Sequence, residues 1–287
     1  MANTPDPALL SINTATVRAQ WKLPQIIDAL VRHRIQGISP WRDQVNAAGL
    51  KETAQRIRDA GLTVTGLCRG GMFPAPDREG RRAALDDNRR AVDEASTLGA
   101  RCLVLVVGGL PKDRRGEIVS KDIAGAREMV RDGLGELLEY ARSAGMPLAI
   151  EPLHPMYAAD RACVNTMAQA NDLCDELAPS GKDGLGLAVD IYHVWWDPRL
   201  QAEIERAGAR DRLYAYHICD WLVPTRDLLN DRGMMGEGVV DLPLIRSWME
   251  AAGYRGMHEV EIFSDAWWKR DGDEVLLTCR RRHEAAS

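Results

Sequence analysis

Two stretches, MPLAIEPLHP (146–155) and GLAVDIYHVWWDP (186–198), decide the fold. Each is a short apolar run that ends in a carboxylate, Glu151 or Asp190, with a histidine three residues on, His154 or His193. Runs of this length bounded by Gly and Pro read as buried strands of a parallel sheet. Working outward, strand candidates fall at Leu10–Asn13, Gly37–Pro40, Thr63–Leu67, Cys102–Val107, Leu148–Glu151, Leu187–Asp190, Tyr214–His217 and His258–Glu261, eight in all. Between them lie helical patterns such as Arg82–Leu98 and Glu128–Ala144. Several close on a helix-stop glycine just before the next strand: Ala60-Gly61, Leu98-Gly99, Ala144-Gly145 and Ala252-Gly253. Eight even strand-helix alternations predict an α/β chain folded as a single (β/α)₈ TIM barrel. No proline-rich or low-complexity linker interrupts the series, so one domain covers 1–287. A doubly wound open sheet is the alternative, but the first strand-helix turn, Asn13-Thr14-Ala15, lacks the G-x-G-x-x-G that would hold a dinucleotide.

Composition narrows the class of function. With 45% apolar and 28% charged residues, the chain can bury a substantial core. A formal charge of −5 repels phosphate backbones and argues against nucleic acid as a partner. The six cysteines (Cys68, Cys102, Cys163, Cys174, Cys219, Cys279) form no C-x-x-C pair and read as reduced, mostly buried thiols. The start MANTPDPALL has neither the basic beginning nor the apolar stretch of a signal peptide, and no run of about 18 apolar residues occurs. The expectation is a cytoplasmic protein with no membrane partner.

In such barrels the chemistry sits at the C-terminal ends of strands, which converge on one mouth. Read there, four consecutive strands deliver Glu151, Asp190, His217 (in His217-Ile218-Cys219-Asp220) and the pair Glu259/Glu261. Period-two alternation puts Ala149, Ala188 and Ala215 beneath Glu151, Asp190 and His217, leaving space inside the barrel. Three carboxylates at one mouth repel unless a cation lies among them. Oxygen-rich ligation with one imidazole suits one divalent ion, Mn²⁺ first, with Mg²⁺, Co²⁺ and Zn²⁺ as alternatives. His33 and His283 read as solvated helix residues; His258, out of phase with Glu261, points outward.

Taken in order, LAIEPLHP, AVDIYHVWWDP, YHICDWLVP, GEGVVDLPLI and HEVEIFS resemble the xylose isomerase-like barrel family of sugar isomerases and epimerases over nearly the whole chain. The resemblance implies that Glu151, Asp190, His217 and Glu261 are metal ligands, with Glu261 preferred to Glu259 because it lies nearer the strand's C-terminal end. It implies further that Glu151 and Glu261 exchange protons beside a carbonyl and that His193 faces the substrate. The family's arginine, which follows the histidine and holds substrate oxygens, has no counterpart before Arg226, which takes the role here. His154 is an extra candidate for general base, an imidazole titrating near working pH. The family's DNA-repair branch needs histidines for three zinc ions. This chain has Cys68-Arg69 and Val107-Gly108 after the earlier strands, and no histidine between His217 and His258.

Trp41, Trp195, Trp196, Trp221, Trp267, Trp268, Phe73 and Phe263 all follow strand ends and are expected to line the rim, Trp196 as a substrate-stacking face. Such a rim suits substrates bulkier than a pentose. Part of the chain's likeness is to the large subunit of bacterial C-glycoside deglycosidases, which act on 3-keto-glycosides beside a small β-rich subunit. The functional expectation is a metal-dependent isomerase or epimerase of a sugar or keto-sugar. The alternatives are a lyase that eliminates the aglycone of a 3-keto-glycoside, a keto-inositol dehydratase, and a non-catalytic sugar-binding protein. A homo-oligomer, or a hetero-oligomer with the β-rich subunit, is expected.

Overall fold

The structure is a computed structural model that describes residues 4–287. Its strands are β1 (Leu10–Asn13), β2 (Gly37–Ser39), β3 (Thr63–Val64), β4 (Leu67–Gly71), β5 (Leu103–Val106), β6 (Leu148–Ile150), β7 (Leu185–Asp190), β8 (Leu213–Ile218), β9 (Asp220–Trp221), β10 (Arg232–Gly233) and β11 (His258–Val260). Nine of them form one parallel sheet in the order β3-β2-β1-β11-β8-β7-β6-β5-β4. The sheet's two ends, β3 and β4, are consecutive pieces of one strand. Its first half pairs with β2 and its second with β5, so this divided strand closes an eight-stranded (β/α)₈ barrel.

The division was not legible in advance. The third strand was expected to end at Leu67, yet Cys68-Arg69-Gly70-Gly71 continues it with a bulge between Cys68 and Gly70. Those residues lack an apolar pattern; what makes them a strand is the backbone of β5 beside them. Gly71, at φ 104°, lies so close to Val106 that an added Cβ would come within 1.9 Å of its carbonyl oxygen.

Helices cover the outside, and polar caps explain where the longer ones begin. The helices at Arg78–Leu98 and Ile123–Ser143 start four or five residues before the expected patterns, because Asp77 and Asp122 accept hydrogen bonds from the backbone N–H of Gly80 and Gly125. Gly61, Gly99, Gly145 and Gly253, the expected stop signals, all have positive φ. The main apolar core fills the space between strands and helices. Inside the barrel the packing is small: Cys68, Cys102, Val104, Ala149, Ala188 and Ala215. That narrow interior leaves polar side chains room at one end. All six cysteines are free and buried. Among the described residues no helix is long and apolar enough to cross a membrane.

His258 points outward as expected, but His283 is not solvated. It is fully buried, and its Nε2 lies 2.9 Å from His258 Nδ1. The helix Gly272–Ala286 turns it inward along with Val275, Leu276 and Cys279.

Candidate metal centre and its cavity

Parallel register sets the site. Asp190 pairs with His217 across β7 and β8, and His217 with Glu259 across β8 and β11, so these three stand at one height. Glu151 and Glu261 come one residue after the ends of β6 and β11, Glu261 two residues beyond Glu259 on the same face. Glu151, Asp190, His217 and Glu261, all buried, each offer one ligand atom, and these atoms lie within 4.8 Å of one another.

His217 Nδ1 is 3.0 Å from Glu151 Oε1 and 3.7 Å from Glu261 Oε2, yet His217 Nδ1 and Glu151 Oε1 have no hydrogen-bond partner with usable geometry. Buried polar atoms left in this state are costly. A divalent ion accepting lone pairs from all four groups satisfies them, and the donor set suits it. Burial pushes the Glu261 carboxyl well above the usual range, the neighbouring Glu151 and Asp190 reinforcing this against Arg232 and His217. Asp190 is held at about 2, because Arg232, His193 and His217 outweigh its burial. The four residues could therefore bind a metal ion, and that ion would offset the crowding that raises the Glu261 carboxyl.

Glu259, the residue that competed with Glu261, lies beneath. Its carboxylate accepts from Asn13 Nδ2 (2.8 Å) and Thr65 Oγ1 (2.8 Å), and its Oε1 is 3.4 Å from His217 Nε2. Asn13 Nδ2 also donates to Glu261 Oε1 (2.9 Å), and Asn13 Oδ1 accepts from Trp41 Nε1 (2.8 Å). Nothing in the sequence around Asn13 marks it as a site residue. Here it joins both glutamates.

The arginine of the site is Arg232; Arg226 is exposed, with its backbone N–H bonded to Asp231. Arg232 Nη1 donates to Asp190 Oδ2 (2.9 Å) and Glu261 Oε2 (3.0 Å), and Nη2 lies 3.1 Å from His193 Nε2. The guanidinium packs over the rings of Tyr192 and Phe263. It arrives on β10, a two-residue strand paired antiparallel with β9. The turn beyond is tied to Asp220, whose carboxylate accepts from the N–H groups of Gly236, Gly238 and Val240. The arginine after His217 that lines the cavity is not the first one. The better signal was an arginine directly before the glycine-rich Gly233-Met234-Met235-Gly236-Glu237-Gly238.

His193 lines the cavity and is almost fully buried. Burial lowers its pKa to about 3, and Arg232 reinforces this against the pull of Asp190. The imidazole is neutral at working pH. With Nε2 accepting from Arg232, the ring proton sits on Nδ1, which has no partner in the protein and is free to donate to a ligand. His154 is placed differently. Its ring stacks on Trp221 (5.0 Å) and meets Trp196 edge-on (5.8 Å), and its Nδ1 accepts from the Met156 N–H. Burial lowers its pKa.

Above the four ligand-type residues is a cavity of about 130 Å³, walled by Trp41, Val106, Leu153, Tyr157 and Phe263 among others. Of the eight rim aromatics expected, Trp41 and Phe263 line it. Trp195, Trp196 and Trp221 gather around Tyr192 and His154, and Trp196 Nε1 donates to the His193 carbonyl. Trp267 and Trp268 anchor the last loop to Glu237 and Ala15. Phe73 is buried beside Gly133. Following a strand end brought these rings to the right end of the barrel, but packing of the loops claimed most of them.

A parallel α/β barrel with one buried carboxylate-histidine cluster at the C-terminal ends of its strands defines the class. The chain belongs to the xylose isomerase-like TIM barrel family, whose profile it matches over residues 27–279. It is 24% identical over 290 residues to the inosose isomerase of Bacillus velezensis, covering 96% of each chain. The crystal structure of protein SMc04130 from Sinorhizobium meliloti superposes with a TM-score of 0.93 at 58% identity, covering 98% of this chain and 99% of that one. The IOLI protein, crystallised with a bound zinc atom, shares the fold at TM-score 0.77 and 21% identity, with 95% of each chain covered. Further relatives are 3-dehydroshikimate dehydratases and fructoselysine 3-epimerases, so the chain's relatives are isomerases, epimerases and dehydratases.

Proposed function

We propose that this chain is a divalent-metal-dependent enzyme that moves a proton alongside the carbonyl of a sugar, keto-sugar or keto-inositol, in an isomerisation or epimerisation. The observation that carries the reading is the placement of Glu151 and Glu261: two carboxylates of one candidate metal cluster, both opening onto a single small cavity. When bound, the divalent ion supplies the charge that polarises a carbonyl oxygen. Mn²⁺ remains the first choice for it and Zn²⁺ an alternative.

The chain's own groups do the rest. Glu151 and Glu261 take and return protons at the carbons flanking the carbonyl. His193 donates its free Nδ1–H to a substrate oxygen, and Arg232 fixes Asp190, Glu261 and His193 while adding positive charge where negative charge develops. Trp41 and Phe263 cover the apolar face of the ring. His154 orients the aromatic cluster at the rim instead of acting as the base. Elimination from a 3-keto-glycoside beside a β-rich subunit is the second reading. It leaned on His154 and a broad aromatic mouth, and it is weaker because those rings pack on one another away from the cavity. Free, buried thiols support a reducing, cytoplasmic setting.

The test is solvent exchange followed by NMR. Metal-loaded protein in D₂O should place deuterium beside the carbonyl of a ketose or keto-inositol, and metal-stripped protein should not. Exchange at the same rate without metal, or with none of the ketoses, keto-inositols and 3-keto-glycosides offered, would overturn the proposal. A metal-free protein that still binds sugars would be a binding protein.

A further inference from the structure

Arg69 and Arg161 line the same cavity as the candidate metal ligands, and no step of the proton transfer uses either. Arg69 is the residue at the bulge of β4 and is partly buried. Among the described residues it has no hydrogen bond or ion-pair partner, in contrast to two other guanidinium groups nearby. Arg42 holds Asp87 and Glu94, and Arg232 holds Asp190 and Glu261. Arg161 lies at the rim, packed over the Tyr157 ring, with its nearest acid, Asp160, at 3.8 Å and shared with Lys112. Leaving one guanidinium desolvated beside another is unfavourable unless something negative joins them.

Charge bookkeeping agrees. Arg69, Arg161 and Arg232 bring three positive charges to the cavity lining, where Glu151 and Glu261 bring two negative ones, and Asp190 and Glu259 add two more behind the lining. A divalent ion turns that into a surplus of one positive charge, with His217 neutral as a ligand.

We infer that the substrate carries an anionic group, a carboxylate or a phosphate, which Arg69 and Arg161 clamp while its carbonyl end lies over the candidate metal cluster. Guanidinium forks match both groups in geometry. This rests on the sugar-carbonyl reading above and adds the substrate's charge to it.

The experiment is titration calorimetry of the full chain reconstituted with Mn²⁺, using D-fructose, D-fructuronate and D-fructose 6-phosphate as probes. At least one anionic ketose should bind about tenfold or more tightly than fructose, as charge-assisted bonds imply. The better anion distinguishes carboxylate from phosphate. In Arg69→Gln the anionic-to-neutral affinity ratio should fall toward one, and Arg69→Lys should restore part of it. Should Arg69→Gln fail to fold, Arg161→Gln at the rim makes the same comparison. Equal binding of fructose and both anions, or a ratio unchanged in both variants, would overturn the inference while leaving the sugar reading intact. Binding of none of the three by metal-loaded protein would overturn the inference, and the D₂O exchange assay decides the sugar-carbonyl reading separately.

Discussion

His217 and His258 sit on adjacent strands, β8 and β11, and both are buried, yet their surroundings drive them in opposite directions. Burial pulls His217 down, but Glu259, Glu151 and Glu261 together hold its pKa well above the ordinary value. His258 faces out of the barrel, toward His283 and Arg246. Burial first, then His283 and Arg246, lower its pKa to about 3, and burial lowers His283 to about 4. Burial alone makes an imidazole neutral and structural; burial among carboxylates makes a cation site. β11 carries both outcomes on its two faces, His258 outside and Glu259 inside.

The largest expected effect breaks the mouth and spares the outer pair. Glu261→Gln should abolish stoichiometric metal and cut turnover by about 10²–10⁴-fold, while thermal unfolding still shows the wild-type acid response of His258 and His283. Retention of full metal content by Glu261→Gln would move the ligand role elsewhere. Glu259→Gln sharpens the comparison. Glu259 touches His217 Nε2 from beneath without belonging to the cluster, so metal affinity should fall by about 10–100-fold, the usual cost of losing such a support. A loss as great as that of Glu261→Gln would exchange the two assignments.

At the outer pair the effect depends on pH. Both histidines have folded pKa values below the unfolded value of about 6.5, so the unfolded chain binds more protons as acidity rises. The stability they allow is complete above about pH 6.5 and is lost as pH falls toward 4, at up to about 1.4 kcal/mol per pH unit for each ring. Urea unfolding of metal-free protein at pH 7 and pH 5 should show the drop, and His283→Gln should reduce it. Identical slopes in the two proteins would show that the pair does not titrate on unfolding. The smallest change is expected from His154→Asn, whose ring packs against Trp221 and Trp196. Its kcat should stay within about threefold of wild type on a ketose, well short of the 10²–10⁴-fold that losing a general base costs.

The strand ends were readable because two independent periods coincide there. Alternation along β6, β7 and β8 puts Ala149, Ala188 and Ala215 under Glu151, Asp190 and His217, and the eight-fold repeat brings those strands to one mouth. Features that depend on tertiary contact were not readable. Arg232 enters from a loop whose shape is set by Asp220 accepting three backbone hydrogen bonds from residues 16–20 positions away. His283 lies on the buried face of the last helix, where it meets His258. The aromatic residues were placed at the correct end of the barrel, but their partners decide which of them face the cavity. Arg69 lies in a glycine-rich segment that becomes strand only through pairing with β5.

The most direct test of the central claim is anomalous diffraction at the manganese edge from crystals grown with Mn²⁺. One full-occupancy peak per chain is predicted, about 2.0–2.2 Å from oxygens of Glu151, Asp190 and Glu261 and from Nδ1 of His217, the distances of first-row divalent ligation. No peak, or a peak coordinated by Glu259 with Glu261 turned away, would contradict the account.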